Sequence, residues 1–195
     1  MFGAVVPVHS GQWCHLGELA KAAEDAGWDY LFSPEGAAAD GTDSLIASLV
    51  FANATKRIQI GTSIAIIYFR HPYIIASAAD NIQEISGGRL ILGLGASHPA
   101  LNDPMGIEMR SPVKEMRKYV ERIRKYSLKR SPLPIWLAAT RLPMARLAGE
   151  IADGINLFGV PHSLLANTIE IVTKSAENAG RQQPSPVTAY AQIGI

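Results

Sequence analysis

The chain of 195 residues contains a single cysteine, Cys14. That excludes a disulfide within the chain and any cysteine-based zinc site, and it fits a reducing, cytoplasmic compartment. No apolar run reaches the ~18 residues of a membrane span. The opening Met1 to Val8 has neither a basic leader nor a cleavage-like end, so it reads as a buried first strand rather than a signal peptide. Charge of one sign is also lacking: 18 Lys and Arg stand against 17 Asp and Glu, a formal net charge of +1. Nucleic-acid binding therefore has no electrostatic support. No two histidines stand at helical spacing, which argues against a metal. His15 and His162 have no partner pattern and read as surface residues. No Gly-x-Ser-x-Gly elbow is present, which disfavours an esterase.

What is present is concentrated in Ser86-Gly87-Gly88-Arg89-Leu90-Ile91-Leu92-Gly93-Leu94-Gly95-Ala96-Ser97-His98. A Gly-Gly turn feeds a short apolar run, which reads as a fully buried strand. Glycines inside a strand mark the close approach of another backbone or a ligand. The run ends on small polar residues and a histidine, and in parallel α/β folds ligands bind where strands end. The segment is not a dinucleotide fingerprint, because it lacks the third glycine and no helix is expected to start immediately after it.

The rest of the chain alternates strands and helices with no low-complexity linker. Strands are expected at Phe2–Val8, Asp29–Ser33, within Arg57–Ile67, and at Arg89–Gly95, Leu133–Ala139, Gly154–Phe158 and Val187–Ile195. Helices are expected at Leu16–Ala26, Asp43–Ala54, Pro72–Ile85, Pro112–Tyr126, Pro143–Ile151 and Pro161–Ala179. The first has Leu16, Leu19, Ala20, Ala23 and Ala26 on one face and stops at Gly27. Ser111 is expected to cap the fourth, with Pro112 at its first position. Regular βα alternation implies parallel strands and right-handed crossovers. An open doubly wound sheet and a (β/α)8 barrel both satisfy that pattern. Seven strands and six helices fall one βα unit and one helix short of the barrel, and the length is below the roughly 250 residues a barrel usually takes.

Several segments together resemble the bacterial luciferase-like monooxygenases, in particular the branch that uses the deazaflavin coenzyme F-420. They are Ala22-Ala23-Glu24-Asp25-Ala26-Gly27-Trp28-Asp29, Ser33-Pro34-Glu35-Gly36, Ala54-Thr55-Lys56-Arg57-Ile58-Gln59-Ile60-Gly61-Thr62, Arg70-His71-Pro72, the glycine strand itself, and Arg146-Leu147-Ala148-Gly149-Glu150-Ile151-Ala152-Asp153-Gly154. Each is short; their order and spacing over nearly the whole chain carry the likeness. The resemblance implies an α/β fold of the (β/α)8 TIM-barrel type, incomplete in this chain. It also implies one domain over residues 1–195, lacking the family's usual insertion near residues 126–131 and its last strand and helices. Family members are typically much longer, so this is either a reduced member or part of a longer one.

The resemblance also points to site residues. Many relatives have a non-proline cis peptide against the cofactor ring, and its counterpart here is the Ser63–Ile64 bond, followed by Ala65. Gly95, Ala96 and Ser97 correspond to the cofactor-side loop. Ala139, Thr140 and Arg141 form the turn that contacts the cofactor tail, where a helix start and an arginine suit a phosphate. His98 is the best candidate proton donor near the ring. Glu35 is a second, provided burial raises its pKa. His9 and His71 are candidates for substrate contact. No metal is expected.

Two function classes remain open on the sequence. The first is an oxidoreductase that moves a hydride between deazaflavin coenzyme F-420 and a small organic substrate, with an FMN-dependent monooxygenase as its variant. The second is a non-catalytic flavin-binding or partner subunit, for which the shortened non-fluorescent flavoprotein of luminous bacteria is the family's precedent. Relatives pair through the helices after the second and third strands, so a homodimer is expected through a surface drawn from Leu45, Leu49, Phe51, Ile74, Ile75 and Ile82.

Overall fold

The computed structural model describes residues 1–7, 11–36, 41–127, 132–181 and 186–189. Short apolar runs form strands β1 (Gly3–Val5), β2 (Tyr30–Ser33), β3 (Gln59–Thr62), β4 (Ala65–Ile66), β5 (Leu90–Gly95), β6 (Ile135–Ala138), β7 (Gly154–Leu157) and β8 (Val187–Ala189). The helices are α1 (Leu16–Asp25), α2 (Ser44–Ala54), α3 (Pro72–Ile85), the single turn α4 (Pro99–Asn102), α5 (Pro112–Tyr126), α6 (Leu142–Ile151) and α7 (His162–Asn178). Every strand pairing is parallel, in the order β1-β2-β3-β5-β6-β7-β8, with β4 also beside β5. Chain order and spatial order therefore agree, as in a (β/α)8 barrel and unlike a doubly wound sheet, whose order reverses at a switch point. The fold is an incomplete barrel. Among the described residues β1 and β8 are its two open edges.

Local chemistry explains the element ends. The Asp43 carboxylate accepts from the Leu45 and Ile46 N–H groups at 2.9 and 3.0 Å and starts α2. Pro72 opens α3, with the His71 ring accepting from the Tyr73 N–H at 3.2 Å. Gly27 stands at φ +80° just beyond α1, the left-handed turn that ends a helix.

Four expectations need correction. The third strand is not continuous: it breaks at Ser63 and Ile64 into β3 and β4. Both lie along β5, in the registers Ile60↔Leu90 and Ala65↔Leu94. Ser111 does not cap α5 with its side chain, because its backbone (φ −145°, ψ 70°) leaves the hydroxyl without a bond to the first turn. The turn α4 begins at Pro99, four residues beyond β5 and sooner than expected. On α1, Leu19 is exposed and Glu24 is buried in the place given to apolar neighbours. The expected strand ends at Val8 and Ile195 lie outside the described residues, as do 128–131, where the family insertion is expected.

The sheet's two faces carry different cores. On the helix side Leu31, Ile60, Leu90, Leu92, Leu94, Ile135, Leu137 and Ile155 pack against Phe51, Ile75, Met116, Ile123 and Leu147. On the concave side Phe32, Ile91 and Trp136 form a separate cluster with Val5 and Tyr30. Tyr30 stacks on Phe32 with ring centres 5.9 Å apart, and both tilt against Trp136. The indole lies directly on Gly154, where an added Cβ would stand 2.3 Å from it. This aromatic floor fills the barrel interior towards the N-terminal ends of the strands.

At that same end, two buried charges tie the elements together. The Glu24 carboxylate accepts from the N–H groups of Lys56, Arg57 and Ile58 at 2.6–3.1 Å. Burial raises its pKa, but these three donors outweigh burial and hold it below the ordinary value. Arg89 spends all its N–H groups on the carbonyls of Ser86, Ile58, Ala52 and Thr55 and on the Thr55 hydroxyl, at 2.8–3.0 Å. The α1 motif, the residues leading into β3 and the Ser-Gly-Gly-Arg turn thus meet in one anchor beneath the sheet.

Candidate functional site

The opposite end of the barrel, where the strands finish, is built from small residues. Gly93 faces the interior so closely that an added Cβ would stand 2.0 Å from the Thr62 carbonyl. At Gly95 an added Cβ would stand 2.4 Å from Cδ1 of Ile64, so the Ile64 side chain lies over that glycine. The Ser63–Ile64 peptide is cis, as the resemblance implies. Beneath it runs a polar string. The Asn156 amide donates to Ser63 Oγ at 3.4 Å and accepts from Thr188 Oγ1 at 2.5 Å. The barrel interior thus passes from an aromatic floor to a polar layer to a mouth lined by backbone and small side chains.

The loop beyond β5 has one anomaly. Ser97 takes φ +64°, the one described residue other than glycine in that region. Its Oγ is buried without a hydrogen-bond partner. A buried hydroxyl left unsatisfied is costly and calls for a ligand or water to complete it. The same is true of Oδ1 of the fully buried Asn102, whose Nδ2 donates to the Ala96 carbonyl at 3.2 Å.

The other candidates divide. His98 is exposed at the start of α4 and makes no side-chain capping bond, so its imidazole is available at the mouth. Thr140 and Arg141 are exposed at the start of α6, and Arg141 likewise makes no side-chain cap. Ala139 is buried, with its N–H donating to the Asn156 carbonyl at 3.0 Å, so only its backbone faces the interior layer. Ala65 is buried in the helix-side core and can offer a ligand nothing but backbone. His71 is exposed, caps α3 and sits beside the Tyr126 ring. His9 lies outside the described residues.

Glu35 differs most from its expected role. Its carboxylate accepts from Arg70 Nη1 at 2.7 Å and Nη2 at 2.9 Å, and from Ser44 Oγ at 3.0 Å. Only 3% of its side chain is exposed, and both oxygens are engaged by one guanidinium within the protein. Arg70 also bonds Asp43 at 2.6 Å. The bond to Glu35 raises the guanidinium's pKa, burial opposes that, and the remaining attraction of Glu35 and Asp43 adds to the rise. Sequence reasoning singled out Glu35 and the Arg70-His71-Pro72 motif but missed the pairing of Glu35 with Arg70, which only the fold creates. It also missed Asn156, whose one signal was a polar residue inside an apolar strand.

Nearby, Tyr68 donates a short hydrogen bond to Glu115, and burial together with that carboxylate raises its pKa. Among the described residues no cluster of His, Cys, Asp and Glu is suited to a metal ion, and no helix is long and apolar enough to cross a membrane.

The chain's likeness to known proteins matches this layout. A family model described as luciferase-like monooxygenase matches residues 1–193. The chain is similar to the 5,10-methylenetetrahydromethanopterin reductase of Archaeoglobus fulgidus, with 32% identity over 205 residues, covering 94% of this chain and 61% of that protein. It is similar to the enzyme of the same name from Methanolobus tindarius, with 29% identity over 201 residues, covering 92% and 61%. Among solved structures, the coenzyme F420-dependent tetrahydromethanopterin reductase of Methanopyrus kandleri superposes with a TM-score of 0.84 at 25% identity, over 97% of this chain and 65% of that one. The chain spans about half to three fifths of the length of the curated relatives it matches.

Proposed function

We infer the function from one premise: the chain belongs to the luciferase-like monooxygenase family. We propose that it binds the deazaflavin coenzyme F-420 at the mouth of the barrel and serves hydride transfer to or from a small organic substrate. The relatives named as methylenetetrahydromethanopterin reductases make a reduced pterin carrying a one-carbon unit the first substrate to test. The single observation that carries the cofactor reading is the buried Ser97 hydroxyl without a partner, at the end of the glycine strand. It offers both a donor and an acceptor to a polar ligand, at the end of a strand whose glycines let the Thr62 backbone and the Ile64 side chain pack close.

Ser63, Ile64, Gly95, Ala96 and Ser97 would hold the ring side of the coenzyme. The Ala139, Thr140 and Arg141 turn at the start of α6 would hold its anionic tail. When bound, a deazaflavin supplies a hydride donor or acceptor at carbon 5 of its ring. The protein's share is then to shape and dry the site. Ile64 lies over Gly95 and lines it with hydrocarbon, and the aromatic floor closes the interior below. His98 is the group free to hold or deliver a proton to the substrate at the rim. Glu35, held by Arg70, serves the architecture of the mouth rather than proton transfer.

The protein acts as a cytoplasmic homodimer in this reading. Support for pairing comes from α2, whose outward side carries the apolar Ile46, Leu49 and Val50 beside Asn53. Its outer Ile46 is 54% exposed, as are Tyr73 and Ile74 on the adjacent α3. Of the residues expected at this surface, Leu45, Phe51, Ile75 and Ile82 belong instead to the core.

Titration of the purified chain with deazaflavin coenzyme and with FMN, followed by fluorescence quenching, tests the proposal. Saturable deazaflavin binding that weakens about tenfold in Ser97→Ala supports it. Binding of FMN alone moves the reading to a flavin monooxygenase. Binding of neither leaves a partner subunit.

A further inference from the structure

The group in this molecule with the most tightly drawn but unassigned role is Arg70. It stands in the connection between β4 and α3, with 17% of its side chain exposed. Its fork takes both oxygens of Glu35 at 2.7 and 2.9 Å, and the same Nη2 takes Asp43 Oδ2 at 2.6 Å. Its own carbonyl accepts the Tyr119 hydroxyl of α5 at 2.7 Å, which fixes the arginine backbone. Glu35 follows β2 and Asp43 precedes α2, so one guanidinium holds both ends of the β2–α2 connection. Ser44 adds a third donor to Glu35, and the Gly36 N–H donates to the Thr42 carbonyl at 2.9 Å, closing the same ends.

Two carboxylates held at one guanidinium form a stiff unit, because the planar fork fixes direction as well as distance. What that unit touches gives it consequence. The backbone N–H of Glu35 donates at 3.0 Å to the carbonyl of Ile64. Ile64 is the residue whose side chain lies over Gly95 at the barrel mouth. The path from charge to site therefore has three steps: Arg70 fixes Glu35, Glu35 fixes the Ile64 carbonyl, and that carbonyl fixes the side chain above the glycine strand.

We propose that Arg70 is a positioning residue that sets the place of Ile64 at the coenzyme-facing end of the barrel by locking Glu35 against it. This rests on the deazaflavin reading above for the identity of the ligand, and on the geometry alone for the lock. A surface ion pair would tolerate loss of its arginine with little effect. This one is buried, forked and coupled through a backbone bond to the site, so its geometry matters as well as its charge.

The test uses the full chain with Arg70→Lys, which keeps the charge and loses the fork, and Glu35→Gln, which keeps the shape and loses the ion pair. Hydrogen exchange of the unloaded protein is read by mass spectrometry over residues 33–36 and 60–68, alongside a fluorescence titration with deazaflavin coenzyme. Both variants are expected to speed exchange of the Glu35 amide and the 60–68 segment by about tenfold or more, and to weaken the coenzyme by about tenfold. Arg117→Lys alters an ion pair on the outer helices and is expected to change neither. If either variant folds and exchanges at the wild-type rate in these segments, the lock is overturned. Faster exchange with unchanged coenzyme affinity overturns the positioning role. A wild-type chain that binds no deazaflavin overturns the cofactor reading instead, and the exchange rates then decide the lock by themselves.

Discussion

Replacing Arg89 with methionine probes how the barrel is anchored. The side chain is 9% exposed and donates five hydrogen bonds, four of them to backbone carbonyls. Ala52 and Thr55 lie at the end of α2, where helical carbonyls lack partners within the helix, and Ile58 leads into β3. Burial lowers the guanidinium's pKa, with Glu24 partly opposing it, so the arginine is held at some desolvation cost that methionine would relieve. Against that relief stand several buried carbonyls left unsatisfied, at about 1–3 kcal/mol each. The net expectation is a loss of about 3–5 kcal/mol, a large part of a typical domain's stability. Lysine should recover little, since three donors on one nitrogen cannot reach carbonyls spread around a planar fork. Thr55→Val removes one of the five bonds together with the hydroxyl's own bond to the Phe51 carbonyl, and should cost about 1–2 kcal/mol alone but less in the Arg89→Met background, where only the Phe51 bond remains to be lost. Urea unfolding followed by far-ultraviolet circular dichroism measures all of these. A loss below about 1 kcal/mol for Arg89→Met would refute the view that this residue, rather than apolar packing, joins α2, β3 and β5.

Glu24 gives a pH dependence of known sign. Its folded pKa lies below its ordinary value, so its contribution is complete above pH ~4.5 and is lost as pH falls through the folded value. Glu24→Gln should be less stable than wild type at neutral pH and converge on it as pH falls through the lowered folded pKa, in urea titrations; parallel curves would contradict the assignment. Gly93→Ala and Gly95→Ala should part company. The first sets a methyl against the Thr62 backbone and should cost about 3 kcal/mol, while the second meets the Ile64 side chain from Cδ1 to Cβ, which can shift where backbone cannot, and should cost less stability but weaken deazaflavin binding. Equal melting temperatures for the two variants would count against this reading of the mouth. Ile46→Asp with Ile74→Asp should yield monomers by light scattering, and an unchanged dimer would rule out the α2–α3 surface.

The barrel was legible in the sequence because its strands are short apolar runs separated by helices of ordinary length, and the element order then admits few topologies. The break at Ser63 and Ile64 was expected from family likeness alone; nothing in the run of isoleucines marks it. The buried place of Glu24 on α1 was not legible, because amphipathic spacing cannot foresee three backbone donors arriving from more than thirty residues away. The same limit applies to Glu35. At a strand end a carboxylate suggests acid chemistry, and only the fold brings Arg70 from another loop to occupy it. Several of the segments that carried the family likeness, around Glu24, Lys56 and Arg89, proved to be anchors at the strand starts. Motif likeness therefore spoke to fold more directly than to chemistry.

The aromatic floor gives the molecule an optical property. Trp136 is 4% exposed, shielded by Tyr30, Phe32 and Gly154, whereas Trp28 is 40% exposed. Its emission should therefore be shifted towards the blue and resist quenchers dissolved in the buffer. A chromophore seated in the mouth would stand above that indole and drain its excitation. Replacing both Trp28 and the half-buried Trp13 with phenylalanine would leave Trp136 as the one tryptophan of the chain, and the barrel's own floor would then report, without a label, when its mouth fills.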